Sequence, residues 1–423
     1  MRLPKLLCIL ITTLLFSAQL YAQHIKNVPL AKIYADSASA KNQKLKKDTT
    51  ILSKKGTPQK DLYDVISELL HKETEPAADS VTLKPELSIV PAIGYTLVSR
   101  LAIVLSGNMA FRTGPQSRVS TIVASTSYTQ NKQFTIPLQS SIWTKNNEYN
   151  FVGDYRYYKY PQSTYGLGSG SKIGNEDPMD YYFLRFYETV LRHISGDFYA
   201  GIGYMLDSHY DISDKGNING GVSDYALYGK STRAVASGFT LSTLYDSRDN
   251  AINPSKGGYA SMQYRSSITA FGGTSNWHSL IIDVRKYFKF PENSDNTLAL
   301  WNYDWVILSG SPSYLDLPSV SWDANSATGR GYIQGRYRGA QMVYVEGEYR
   351  FKILANGLIG GVVFANAESF SAQQGTSLQT IQPAFGPGLR VKLNKVSKTN
   401  ITIDYGFGSE GSRGLFIDVG EAF

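Results

Sequence analysis

The chain has 423 residues, with 42 basic and 35 acidic side chains and a formal charge of +7. That length fits two or three soluble domains or one β-barrel of about 16 strands. Tyr (30) exceeds Phe (18), Gly is abundant (38) and only 18% of residues are charged. Such a balance suits a barrel whose tyrosines anchor at both membrane interfaces and whose glycines relieve crowding in a curved sheet; a secreted soluble β-protein is the competing reading. No apolar run approaches the ~18 residues of a membrane helix, which excludes helical spans.

Residues 1–22 read as a signal peptide. Arg2 and Lys5 open it, Leu6 to Phe16 form an apolar core too short to cross a bilayer, and Ala22 precedes the expected mature start at Gln23. Cys8, the one cysteine, lies in that core, so the mature chain is expected to hold no disulfide and no cysteine-based metal site. Removing Arg2 and Lys5 takes +7 to +5, and residues 23–85 hold 11 Lys against 8 acidic groups, which leaves about +2 for the rest. The basic balance therefore belongs to a lysine-rich tail, and no interleaving of Arg with aromatics points to nucleic acid.

Residues 23–85 have the composition of a largely disordered segment. The exception is a short amphipathic helix near residues 58–72, where Thr57 can cap, Pro58 suits the first turn, and Leu62, Val65, Ile66, Leu69 and Leu70 share a face. It would plug a barrel from the periplasmic side, dock a partner, or simply be tethered there.

From Glu86 onward, sixteen strand-like segments begin near residues 87, 100, 119, 133, 147, 178, 197, 230, 257, 274, 296, 341, 357, 378, 398 and 413. The alternation is plainest after the Gly- and Arg-rich stretch at 329–340. Val343, Val345, Gly347, Tyr349 and Phe351 form one face, and Met342, Tyr344, Glu346, Glu348 and Arg350 the other. Long connections at 160–177, 207–229 and 310–340 follow odd strands, and short ones such as 193–197, 291–296 and 392–398 follow even strands. The expected fold is all-β, a 16-stranded antiparallel transmembrane β-barrel over residues 86–423, with outer-membrane lipid around it. The last segment, 415–423, alternates Leu415, Ile417, Val419 and Phe423 against Phe416, Asp418, Gly420 and Ala422, broken on its apolar side by Glu421 alone. A terminal aromatic on an edge strand offers backbone hydrogen bonds and a side-chain anchor to an assembly machine.

On these residues the sequence resembles the bacterial surface antigen family, the barrel domain of BamA/TamA-type outer-membrane assembly and translocation proteins. Four motifs carry the resemblance: the segment GFTLSTLYDSRDNAINPSKGGY at 238–259; Arg330, Gly331 and Tyr332 with Glu348 to Arg350; GPGLR at 386–390 with DYG at 404–406; and the closing FIDVGEAF. The resemblance implies that the 310–340 loop, the sixth extracellular one, folds into the lumen. Arg330 would pair there with Glu348 first and Glu346 second. Gly329 stands where the family has Val or Ile, and Asn366 where it has an Asp. The closing stretch would act as a β-signal through Phe416, Val419 and Phe423.

Asp246, Arg248, Asp249, Asn250, Pro254 and Gly257 belong to a turn motif whose expected role is structural: acceptors for turn amides, a fixed φ at Pro254, and left-handed geometry at Gly257 and Gly258. The family's periplasmic POTRA domains, of about 75 to 80 residues each, have no counterpart in residues 23–85. The resemblance further implies work at the seam between first and last strands, where Pro91 removes a ladder donor and Gly94 and Gly420 weaken packing. Partners would be unfolded or exported client proteins and a separate periplasmic partner. The alternative is a passive channel or surface-binding protein. No enzyme, cofactor or metal is expected: the histidines are scattered, no G-x-S-x-G elbow occurs, and His209 with Asp207 and Asp211 is a weak pairing.

Overall fold

The computed structural model describes residues 57–69, 83, 85–96 and 98–423. The expected signal peptide and most of 23–85 lie outside the described residues. Sixteen antiparallel strands form the wall: β1 (Glu86–Thr96), β2 (Arg100–Arg112), β3 (Val119–Thr129), β4 (Phe134–Trp143), β5 (Tyr149–Lys159), β6 (Asp177–Ser195), β7 (Phe198–Asp214), β8 (Arg233–Asp246), β9 (Gly257–Ser267), β10 (Trp277–Lys289), β11 (Thr297–Gly310), β12 (Gln341–Lys352), β13 (Ile359–Ser371), β14 (Gln382–Asn394), β15 (Thr399–Phe407) and β16 (Arg413–Val419). Each pairs with its sequence neighbours. A three-residue strand, Gln162–Thr164, adds to β6 inside the first long connection. The starts lie within four residues of those read from alternation, the largest shift being at β14.

Period two fixes which residues face inward. In β12, Met342, Tyr344 and Glu348 are fully buried while Val345 is 47% exposed. A membrane-spanning sheet reverses the solvent logic of a soluble one, because the outward face meets lipid and the inward face carries the charge. Cross-strand partners share a face. One inward row therefore runs Trp301, Glu346, Asn366 and Ala384, and another runs Arg350, Val362, Gly388, Asp404 and Phe416.

Among the described residues, no strand ladder closes the wall: β1 pairs with β2 and β16 with β15, and no ladder joins β1 to β16. The two edges are nevertheless adjacent, since a Cβ built on Gly94 would lie 3.8 Å from the Ile417 carbonyl oxygen.

Two sequence expectations need correction. The last strand ends at Val419, not Phe423. Gly420 adopts φ +121° and donates its N–H to the Asn400 carbonyl, which turns the tail inward. Phe423 is consequently buried in the lumen, not on the outer face with Leu415 and Ile417. The helix, α1, spans Leu62–Leu69, later than the start read at Thr57 and Pro58. Asp61 takes the capping role: its carboxylate accepts the Asp64 N–H at 2.9 Å while the Asp64 carboxylate accepts the Asp61 N–H at 2.9 Å.

Candidate functional site

The 311–340 connection fills the lumen. Its middle holds Tyr314, Leu317, Val320, Tyr332 and Tyr337, all buried, and they join Tyr181, Phe183, Trp301, Tyr303, Trp305 and Phe370 of the wall in one apolar cluster. An aqueous pore would leave such side chains wet; here a loop serves as the barrel's core. Tyr158 and Tyr160 pack against this cluster, whereas the tyrosine-rich composition suggested anchoring at the membrane interfaces.

Arg330 is the loop's charged anchor. Nη1 donates to Asp404 at 2.6 Å, and Nη2 donates to both Glu346 and Glu348. The guanidinium also lies 4.0 Å from the Phe364 ring centroid. Burial by itself would lower the Arg330 pKa, but Glu348 and Asp404 outweigh it and hold it above the ordinary arginine value. Only a planar fork can serve three carboxylates on two strands at once.

The pairing extends well beyond the expected partners. Arg350 donates through Nε to Glu348 at 2.7 Å and through Nη2 to the Phe423 carbonyl at 3.0 Å. Arg390 donates to Asp404 at 2.5 Å and to Glu421 at 2.8 Å. Three arginines thus meet four carboxylates, Glu346, Glu348, Asp404 and Glu421. Asn366 does not contact the guanidinium; its amide donates to the Arg330 backbone carbonyl at 3.1 Å. The carboxylate absent at position 366 of β13 has its counterpart in Asp404 on β15. Gly388 makes this possible, because a Cβ there would fall 1.8 Å from Asp404 Oδ1. Sequence reading missed Asp404, Arg390, Arg350 and Glu421 as partners, although the first two sit in the DYG and GPGLR motifs.

The neighbours of Arg330 are fixed by lack of space. Gly331 has φ +115°, and a Cβ on it would meet Ala384 Cβ at 2.8 Å. From the other side, a Cβ on Gly406 would meet the Gly331 Cα at 2.7 Å. The loop tip and β15 therefore touch backbone to backbone. Gly329 is explained in the same way, since its Cβ would lie 2.8 Å from Val320 and 3.0 Å from a buried Glu368 oxygen. The Tyr332 hydroxyl donates to the Pro383 carbonyl at 2.6 Å and accepts the Ser409 N–H at 3.0 Å.

At the short-turn mouth the D-x-R-D-N turn closes on itself and on the tail. Asp246 accepts from Arg248 at 2.8 Å, Asp249 accepts the Ser255 N–H at 2.8 Å, and Asn250 accepts the Ile252 and Asn253 N–H groups at 2.9 and 2.7 Å. Burial would raise Asp249, but the Ser255 and Lys256 donors prevail and hold its carboxyl below the usual range. Gly257 is left-handed at φ +99°; Gly258 is not. Pro254 lies within this turn. Asn253 then reaches the Glu421 carboxylate at 3.3 Å, so the turn between β8 and β9 is tied to the tail that follows β16.

The seam residues hold three positions. Pro91 is exposed on the outer face of β1, Gly94 faces the lumen, and Gly420 ends β16. Of the proposed signal residues, Phe416 lies opposite Asp404 on the inner face and Val419 ends the strand. The Phe423 ring stacks on Trp301 at 5.0 Å under the Arg350 guanidinium at 5.2 Å. His209 and Asp207 line a small cavity with Asp316 of the loop, in which Asp207 is held by Arg185 at 2.8 Å. Asp211 is exposed.

A scan of protein-family models matches none, and no curated protein matches in sequence. Solved structures do match. BamA from Haemophilus ducreyi lacking POTRA domains 1-3 aligns with 88% of this chain and 80% of its own, at 10% identity and TM-score 0.50. CdiB from Escherichia coli aligns over 82% of this chain and 68% of its own, at 9% identity and TM-score 0.50. At such identities the likeness is one of fold.

Proposed function

Starting from a BamA-type 16-stranded barrel of the Gram-negative outer membrane, we propose that this protein assists insertion of outer-membrane proteins or translocation of an exported substrate through the seam between β1 and β16. The observation that carries the reading is that, among the described residues, no ladder joins β1 to β16. Two adjacent edges with unpaired N–H and C=O groups form a template that an incoming strand can join. Pro91 takes one donor out of β1, and Gly420 stops β16 after seven residues. Work of this kind uses strand exchange and bilayer deformation, so it assigns no catalytic group and no cofactor. A freely conducting channel fits less well, because the 311–340 loop occupies the lumen.

Two experiments test the proposal. Depletion of the protein in its native cell, followed by quantitation of the outer-membrane proteome, should lower several other barrels or one exported substrate. A disulfide across the seam near Gly94 and Ile417 should abolish that activity while the barrel still folds. An unchanged proteome on depletion, or full activity in the locked form, would transfer the assignment to a passive or surface-binding barrel.

A further inference from the structure

The helix α1 is attached to the barrel by the wrong side for an ordinary amphipathic helix. Its docking contacts are polar: the Asp61 carboxylate accepts the Lys395 N–H at 2.9 Å, and Lys395 Nζ donates to both Asp64 oxygens at 2.6 and 2.7 Å. The Lys60 N–H donates to the Asn356 carbonyl at 3.1 Å. At about 100° per residue, Leu62, Val65, Ile66 and Leu69 fall within an arc of roughly 100° whose centre lies roughly 150° from Asp64. None of the helix is fully buried, and Leu69 is 73% and Ile66 43% exposed. The barrel therefore holds the helix through Asp61 and Asp64, and of the apolar stripe Ile66 and Leu69 are left exposed while Leu62 and Val65 are half-buried.

We propose that this stripe seats in the periplasmic leaflet of the outer membrane, on anionic phospholipid. Two features of the chain select that occupant. The first is continuity with the lipid-facing wall: outward Val363 and Leu389 lead down to Ile353 and Leu354, both exposed in the turn that carries Asn356. The second is charge, because residues 41–60, which run into the helix, contain seven Lys and a single acidic residue, Asp48. A basic stretch joined to an amphipathic helix is the combination that binds an anionic interface, the apolar face supplying depth and the lysines surface attraction. Lys395 of the barrel thus serves as a bracket that presents the helix to lipid.

The test uses the full chain in a Cys8→Ser background, with an environment-sensitive fluorophore on Leu69→Cys or, on the polar side, on Ser67→Cys. The protein is reconstituted into phosphatidylcholine vesicles with or without phosphatidylglycerol. In anionic vesicles the Leu69→Cys label should be quenched by doxyl-labelled lipid and shielded from aqueous iodide, while the Ser67→Cys label remains open to iodide. Adding Ile66→Asp should lower the lipid-bound to free ratio at least ~10-fold, from the loss of one buried aliphatic side chain. Iodide access to the Leu69→Cys label in both vesicle types would overturn the proposal. Equal lipid quenching without phosphatidylglycerol would overturn the anionic occupant, and shielding from both quenchers would mean that protein covers the stripe. Heat-modified gel migration reports that the barrel is folded, and the comparison of vesicle types needs no variant beyond the labelled one.

Discussion

Replacing Glu348 with Gln tests whether the charge network holds the loop. Glu348 has no solvent exposure, accepts from Arg330 through one oxygen and from Arg350 through the other, and lies 3.8 Å from Arg390. The amide keeps the shape but removes the charge that both guanidinium groups face, and its NH2 points a donor at a donor. Breaking one side of a buried ion pair costs about 3–5 kcal/mol. With an unfolding entropy of roughly 2 cal/mol/K per residue over the roughly 340 barrel residues, a loss near 4 kcal/mol lowers the melting midpoint by about 6 °C. The assay is the temperature at which the compact band converts to the extended one in semi-native gels, together with labelling of a buried loop position through Val320→Cys. A double cycle with Arg330→Gln should be strongly non-additive, because the second change removes a group the first has already stranded. An unchanged midpoint with a still-protected loop would refute the view that these charges seat it.

Other outcomes follow from the same geometry. Gly331→Ala should cost about 1–3 kcal/mol from its left-handed φ alone, and the 2.8 Å approach to Ala384 should unseat the loop enough for limited proteolysis to cut within 311–340. Phe423→Ala should cost about 3–5 kcal/mol through the emptied space on Trp301, read as an earlier gel transition once the protein is assembled. Asp316 is pushed up to about 7, chiefly by burial and then by Asp207, against Arg265, Arg338 and Arg185, and His209 Nδ1 lies 3.4 Å from it. A carboxyl whose folded pKa is raised binds its proton more tightly when folded, so stability should fall as pH rises from about 4 to about 7. Asp316→Asn should flatten that slope; an identical slope in the variant would show that other groups set it.

The wall was legible in the sequence because alternation is a local property, and lipid outside with charge inside makes it sharp, as from Met342 to Phe351. The loop anchor was legible as Arg330 with Glu346 and Glu348, since these lie within nineteen positions of one another. Asp404 and Arg390 were not, because only the barrel's curvature brings β14 and β15 against the tip of a loop that starts after β11. The same holds for Asp207, bridged to Arg185 and Arg265 from three strands. The tail misled for a different reason. Its alternation continues through Phe423, and nothing local distinguishes a glycine that continues a strand from one that turns it at φ +121°. The helix start was missed because Thr57 and Pro58 satisfy a cap rule that Asp61 and Asp64 satisfy better, with each carboxylate bonded to the other's amide.

The arginine network also distributes stiffness unevenly around the wall. Arg330, Arg350 and Arg390 bind β12, β14, β15 and the tail beyond β16 to one another, so the last five strands resist shear as a single plate. Among the described residues the first strand's ladder is with β2 alone. On the proposed seam reading, a load applied there would be borne unequally, with the closing edge as the jamb and the opening edge as the leaf.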